Sequence, residues 1–227
     1  MVDSSPTLWQ PIALVALYLG LILLISESLH RYFAVNGEVS RKVVHIGTGN
    51  VILLAWWLQI PAWVGTTAAV LASMLVLVSY KLPILPGVNS IGRKSFGTFF
   101  YAVSMGILIA YFWEVGQPRY AAIGILIMSY GDGMAAIIGQ NFGRHIYTVG
   151  SLTKSWEGSL TMAVVSYIVC NLILILTIGN TWQIWCVSLI VAILATGLES
   201  FSWWGMDNLT VPVGSAAIAY TLVKLLG

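Results

Sequence analysis

Apolar residues fill this chain in long, nearly unbroken runs, and the polar residues gather in short clusters between them. A run of about 20 apolar residues is the length that carries a helix across the hydrocarbon of a bilayer. By this pattern the chain predicts helices over 8–29, 44–60, 62–80, 96–113, 121–140, 159–178, 181–200 and 210–226. The second is short and only Pro61 separates it from the third, so that pair reads as a tight hairpin or a partly re-entrant unit. The expected fold is all-α: a polytopic membrane helical bundle of about eight transmembrane helices, with seven as the fallback. No long soluble insertion, internal repeat or low-complexity tract interrupts it, so residues 1–227 read as a single integral-membrane domain.

Composition agrees with the pattern. Hydrophobic residues make up 59% of the chain and charged residues 8%, where a soluble domain carries roughly 25% charged. Ten Lys and Arg against eight Asp and Glu leave a net charge of +2, too small for an electrostatic nucleic-acid partner, and none is expected. Cys170 and Cys186 fall in separate apolar runs and read as plain helix residues. The N-terminus lacks the basic n-region of a signal peptide and the Arg- and Ser-rich character of a transit peptide, so the first run is expected to stay as a span.

The few charges are informative by position. When the first helix runs outside to inside, Arg31, Arg41, Lys42, Lys81, Arg93, Lys94, Arg144 and Lys154 fall on one side, and only Arg119 and Lys224 lie opposite. The positive-inside rule makes that side cytoplasmic. His45, Asp132, Lys154, Glu157, Glu199 and Asp207 fall at or near the same face, which places the expected active site on the cytoplasmic side of the membrane.

The densest polar stretch runs from Gly131 to Gly158, GDGMAAIIGQNFGRHIYTVGSLTKSWEG. Asp132 lies inside an apolar helix, about eight residues from its end and therefore roughly 12 Å below the rim. An ionised carboxylate at that depth needs a partner, and intramembrane acids usually mark function. Gly131 and Gly133 keep its neighbourhood slim, so that another helix or a ligand can approach the backbone. The helix is followed by a Gly-punctuated loop and by Ser151, Lys154, Ser155 and Glu157, which open the next apolar run. Hydroxyls, a lysine and free N–H groups at a helix start suit a phosphate, although Ser155 and Glu157 are also ordinary capping residues. Glu199, Asp207 and Asn208 form a further polar patch. With Asp132 or Glu157 they could complete a magnesium site, since that ion prefers oxygen ligands and is often shared with substrate phosphates. Arg41, Lys42 and His45 are either topology anchors or neutralise charge on a nucleotide, and Arg93 and Lys94 pose the same choice. These parts describe a membrane enzyme that moves phosphate.

The runs RKVVHIGTGN, GRKSFGTFFY, GDGMAAIIGQNFG followed by SLTKSWEGS, and the late MDNLTVP resemble the phytol/dolichol/diacylglycerol kinase family of integral-membrane, CTP-using lipid kinases. The resemblance covers nearly the whole chain and is strongest to the phytol kinase branch of photosynthetic organisms. It implies CTP-dependent phosphorylation of a long-chain isoprenoid alcohol, phytol to phytyl phosphate, with Mg²⁺ as cofactor and CTP as phosphoryl donor. It also implies a multi-pass protein of a cyanobacterial inner or thylakoid membrane. Carried over by motif, the resemblance points to Asp132, Lys154, Ser155, Glu157 and Asp207 at the nucleotide–metal site. Together with the reading of the residues, Asp132, Lys154 and Glu157 are the expected catalytic residues, and Asp132, Glu157, Glu199 and Asp207 the expected metal ligands. Arg41, Lys42, His45, Gly131, Gly133, Asn141, Gly143, Ser151, Ser155 and Asn208 are the expected nucleotide contacts.

Other readings remain open at this point. GxxxxGK[ST] is absent, which removes the common NTPase readings. CDP-lipid synthases share a Lys-x-x-Glu-Gly gate, so a cytidylyltransferase is the nearest rival, and a dolichol or diacylglycerol kinase differs only in substrate. A transporter would also place acids inside a bundle, but its repeat symmetry and midplane site are not visible here.

Overall fold

The computed structural model describes residues 8–32, 37–80 and 96–226. The chain is a bundle of α1 (Trp9–Tyr32), α2 (Gly37–Gly49), α3 (Val51–Trp57), α4 (Ala62–Ser79), α5 (Gly97–Glu114), α6 (Pro118–Leu126), α7 (Gly133–Phe142), α8 (Trp156–Thr177), α9 (Trp182–Ser200) and α10 (Asp207–Leu226). A π-helical stretch, Ile127–Asp132, joins α6 to α7 without a break, so Pro118–Phe142 is one continuous span. Among the described residues seven spans are long and apolar enough to cross a membrane.

The segment 44–60 is not one of the seven. It divides at Asn50 into the end of α2 and the short α3. The physical cause lies in Gly47, Thr48, Gly49 and Asn50, weak helix formers whose polar groups find partners inside the bundle. Asn50 Nδ2 donates to Ile46 O at 3.2 Å, and Tyr130 Oη donates to Asn50 Oδ1 at 2.9 Å. The remaining spans begin and end within a few residues of the expected positions, with Pro118 at the first position of α6, where a missing N–H costs nothing.

The Pro118–Phe142 span is the axis of the bundle. It is apolar on every side through Ala121–Ile127, and those residues are fully buried or nearly so. α8, α10, α5 and α2 all pack around it, while α1 stands at the periphery. Small residues set the closest approaches. A Cβ added at Gly131 would lie 2.6 Å from Met162 Sδ on α8, and one added at Gly133 would lie 2.8 Å from Ile46 on α2. The two glycines beside Asp132 therefore let two helices close on it at once.

The connection into α8, expected as a loop, is instead a β-hairpin. β1 (Ile146–Val149) pairs antiparallel with β2 (Leu152–Ser155), with Tyr147 opposite Lys154. Its cause is visible in the residues: β-branched and aromatic side chains flank a two-residue turn whose Gly150 adopts φ 59°, a backbone region glycine enters freely. Cys170 is buried, Cys186 is exposed, and both are free thiols.

Candidate active site

Two buried lysine–carboxylate pairs stand at one end of the bundle. α2 carries Lys42, only 6% exposed, onto the carboxylate of Asp132 in an ion pair. His45, one turn further along α2, brings Nε2 to 3.8 Å from the same carboxylate oxygen. The π-helical stretch ends on Asp132 itself, and such insertions widen a helix locally and recur at functional sites. Beneath the pair, the Tyr101 ring lies 4.3 Å from the His45 ring, and its hydroxyl shares a hydrogen bond with Ser129 Oγ. Ser129 in turn donates to Ile125 O at 2.7 Å.

The second pair is held by the hairpin. β2 points Lys154 at Glu199 on the last turn of α9, where Nζ bonds the carboxylate and also the Glu199 backbone oxygen at 3.1 Å. Asp207 follows after a short 3-10 turn, Trp203–Gly205, and opens α10. It is 7% exposed and accepts a hydrogen bond from Asn208 Nδ2 at 3.3 Å. Glu199 and Asp207 each lie within electrostatic reach of Asp132, Lys42 and Lys154, and of one another. Three carboxylates against two ammonium groups leave a negative excess in a poorly solvated place. That arrangement suits a cation shared with phosphate oxygens.

Several expected site residues are engaged by other partners. Glu157, in the first turn of α8, accepts from His145 N at 3.2 Å and lies 2.7 Å from His145 Nδ1, which closes the base of the hairpin at its exposed side. Ser155 caps α8 by accepting from Gly158 N at 3.2 Å, a buried structural position beside Gly139 and Gly143. Asn141 turns back to donate to Ile137 O at 2.8 Å, and Ser151 sits exposed in the hairpin turn. Arg41 has its side chain outside the described residues, as do Arg93 and Lys94 as a whole. The reading of single charges missed Tyr101, Ser129 and Asn50, although Tyr101 and Asn50 stand inside two of the quoted motifs.

Among the described residues no three His, Cys, Asp or Glu side chains are already arranged as a metal cage. Mg²⁺ does not need one, because it is commonly held by one or two carboxylates together with substrate phosphates. The all-oxygen donors Asp132, Glu199 and Asp207 fit that requirement, and Glu157 is engaged by His145 instead.

The chain is similar to phytol kinase of Synechocystis sp., with 53% identity over 213 residues that cover 94% of this chain and 91% of that protein. It is also similar to the chloroplastic phytol kinase 1 of Arabidopsis thaliana, 28% identical over 86% of this chain and 69% of the relative. The chloroplastic probable phytol kinase 1 of Oryza sativa is 26% identical over 83% of this chain and 65% of the relative. No family model and no solved structure matches the chain. Identity in more than half of the aligned positions, over nearly the full length of both proteins, is decisive: the chain belongs to the phytol kinase family and is a kinase acting on an isoprenoid alcohol.

Proposed function

We propose that this chain transfers the terminal phosphoryl group of CTP to the hydroxyl of phytol at the cytoplasmic face of the membrane, yielding phytyl phosphate and CDP. The observation that carries the reading is the convergence of Asp132, Glu199 and Asp207 with Lys42 and Lys154 at one end of the bundle. The names of the similar proteins support phytol as the acceptor, and the cationic loops support the cytoplasmic side.

Phosphoryl transfer asks a protein mainly for positioning and charge stabilisation. Lys42 and Lys154 neutralise the carboxylates when no nucleotide is present, and each can turn its ammonium group to phosphate oxygens when one arrives. Mg²⁺ held by Asp132, Asp207 and Glu199 would supply charge neutralisation across the phosphates. A carboxylate takes the proton of the alcohol as its oxygen bonds to phosphorus and the bond to the CDP oxygen breaks; Asp132, beside Lys42 and His45, is the candidate for that role or for metal ligation. Glu157 holds the hairpin that presents Lys154. Burial below the rim suits an acceptor that stays in the bilayer and offers only its hydroxyl.

The test is purified protein with phytol, Mg²⁺ and CTP labelled in both base and γ-phosphate. Label from the γ-position on phytyl phosphate with release of CDP is the expected result. Transfer of the cytidyl group with release of pyrophosphate would overturn the kinase reading in favour of a cytidylyltransferase.

A further inference from the structure

An apolar groove opens along the seam between the last turn of α9 and the first turns of α10, lined by Leu198, Phe201, Trp203, Met206 and Thr210. Its one hydroxyl, on Thr210, donates to Met206 O in its own helix at 3.2 Å, so the groove offers hydrocarbon and almost nothing else. Such a surface cannot hold phosphate or nucleotide. Yet Leu198 directly precedes Glu199, and Met206 directly precedes Asp207, so the groove and two acids of the site share the same turns.

The turn that builds this wall is strained. Trp204 holds φ 55° and ψ 15°, a conformation that bulky residues rarely adopt, and Phe96 N secures it by donating to Trp204 O at 3.1 Å. The other side of the wall is fastened to the phosphate end of the site. A Cβ added at Gly150, in the turn of the hairpin that carries Lys154, would lie 3.0 Å from the Trp203 ring. The hairpin turn and the groove wall therefore touch at Gly150 and Trp203. Strain kept at a residue whose side chain is largely exposed has no packing benefit to explain it; it holds a shape.

We propose that this groove is the acceptor subsite, which takes the isoprenoid chain of the alcohol along Leu198, Met206 and Trp203 and delivers the hydroxyl to the acids at its inner end. The assignment rests on the isoprenoid-kinase reading above and adds the place of binding to it. A chain with no polar handle except its terminal hydroxyl matches a lining with no polar handle, and Phe201, Trp203 and Met206 are exposed on the outside of the bundle.

Two measurements test this. Met206→Trp and Thr210→Trp, each placing a ring in the groove, should raise the KM for phytol at least about tenfold while the KM for CTP moves by less than about twofold. In unmodified protein, a phytol analogue with a diazirine in its chain should label residues 198–210, and unlabelled phytol should compete while phosphatidylglycerol does not. An unchanged KM for phytol in both folded variants, or labelling elsewhere, would overturn the groove. Equal competition by phosphatidylglycerol would show that it holds ordinary bilayer lipid, and a label lost on dilution of the protein would assign it to a second copy of the chain. Failure of the isoprenoid reading has a different signature, because unmodified protein would then make no phytyl phosphate at all, wherever the analogue attaches.

Discussion

Lys42 and Asp132 lie ninety positions apart in sequence and meet as an ion pair inside an apolar bundle, with side chains 7% and 15% exposed. Each charge alone would be expensive at that place. Together they are tolerable, because attraction at low dielectric offsets part of the lost hydration. The pair also fixes α2 against the centre of the Pro118–Phe142 span, and so positions His45 and Tyr101.

Removing one partner should therefore cost more than removing both. Lys42→Ala takes the ammonium group away from the largely buried Asp132 carboxylate, whose nearest remaining cationic group is His45 at 3.8 Å, and should destabilise the protein by about 3–5 kcal/mol. The double variant Lys42→Met with Asp132→Leu should recover much of that loss, yet remain inactive. Thermal unfolding in detergent and CTP turnover measure the two quantities separately. Equal stability of single and double variants would mean that the pair carries no structural energy.

The acids and the hairpin lysine should matter to turnover in a graded order. Asp132→Asn and Lys154→Ala should each slow phosphoryl transfer by at least about a hundredfold, a barrier increase of about 2.7 kcal/mol, in protein that still folds. Glu157→Gln should cost about tenfold or less, since the amide oxygen can still accept from His145 N and keep the hairpin closed. A Glu157 effect as large as that of Asp132 would return Glu157 to the metal site.

Much of this architecture was legible in the residues, and each miss has a physical cause. Long apolar runs set the spans because the bilayer imposes a length, and Pro118 or the polar residues around Asp207 mark helix starts by local chemistry alone. Asp132 announced that a cation must reach it, but Lys42, Arg93, Lys94 and Lys154 were all available, and nothing local chooses among them. The same limit applies to Glu157. In a linear reading it joins the acids; in three dimensions its neighbour is His145, across the base of a hairpin. That hairpin was hidden because four-residue strands are too short for a periodic signal. The π-helical stretch was hidden because an inserted residue leaves no trace in composition.

The strained turn gives a prediction on stability. Trp204→Gly removes the side-chain penalty at φ 55°, and the lost ring is 67% exposed. Relief of about 1–3 kcal/mol of strain should match or exceed the roughly 1 kcal/mol of extra entropy lost by glycine. The melting temperature should hold or rise. A clear fall would show that the Trp204 ring, and not the turn, is what the fold needs.

Sidedness can be read by labelling. In a Cys186→Ser background, Thr148→Cys at the exposed hairpin should react with a membrane-impermeant maleimide only after the membrane is opened, whereas Gln117→Cys before α6 should react in intact cells. The reverse pattern would put Asp132 and Lys154 on the side away from the CTP pool and would remove the proposed donor.

Selectivity among alcohols should follow apolar burial. A lining of Leu198, Phe201, Trp203 and Met206 provides no donor for an ester carbonyl, so recognition must come from enclosed hydrocarbon, worth about 0.8 kcal/mol per CH₂. Phytol and geranylgeraniol, of equal length, should both be phosphorylated, and farnesol, one isoprene unit shorter, should be weaker, chiefly through KM. Diacylglycerol brings two ester groups that would lose water without gaining partners, and that penalty should make it a poor acceptor despite its longer chains. Competition between phytol and diacylglycerol in matched detergent measures the ratio of kcat/KM directly. Faster phosphorylation of diacylglycerol would overturn the isoprenoid assignment of the acceptor site while leaving the chemistry of Asp132 and Lys154 in place.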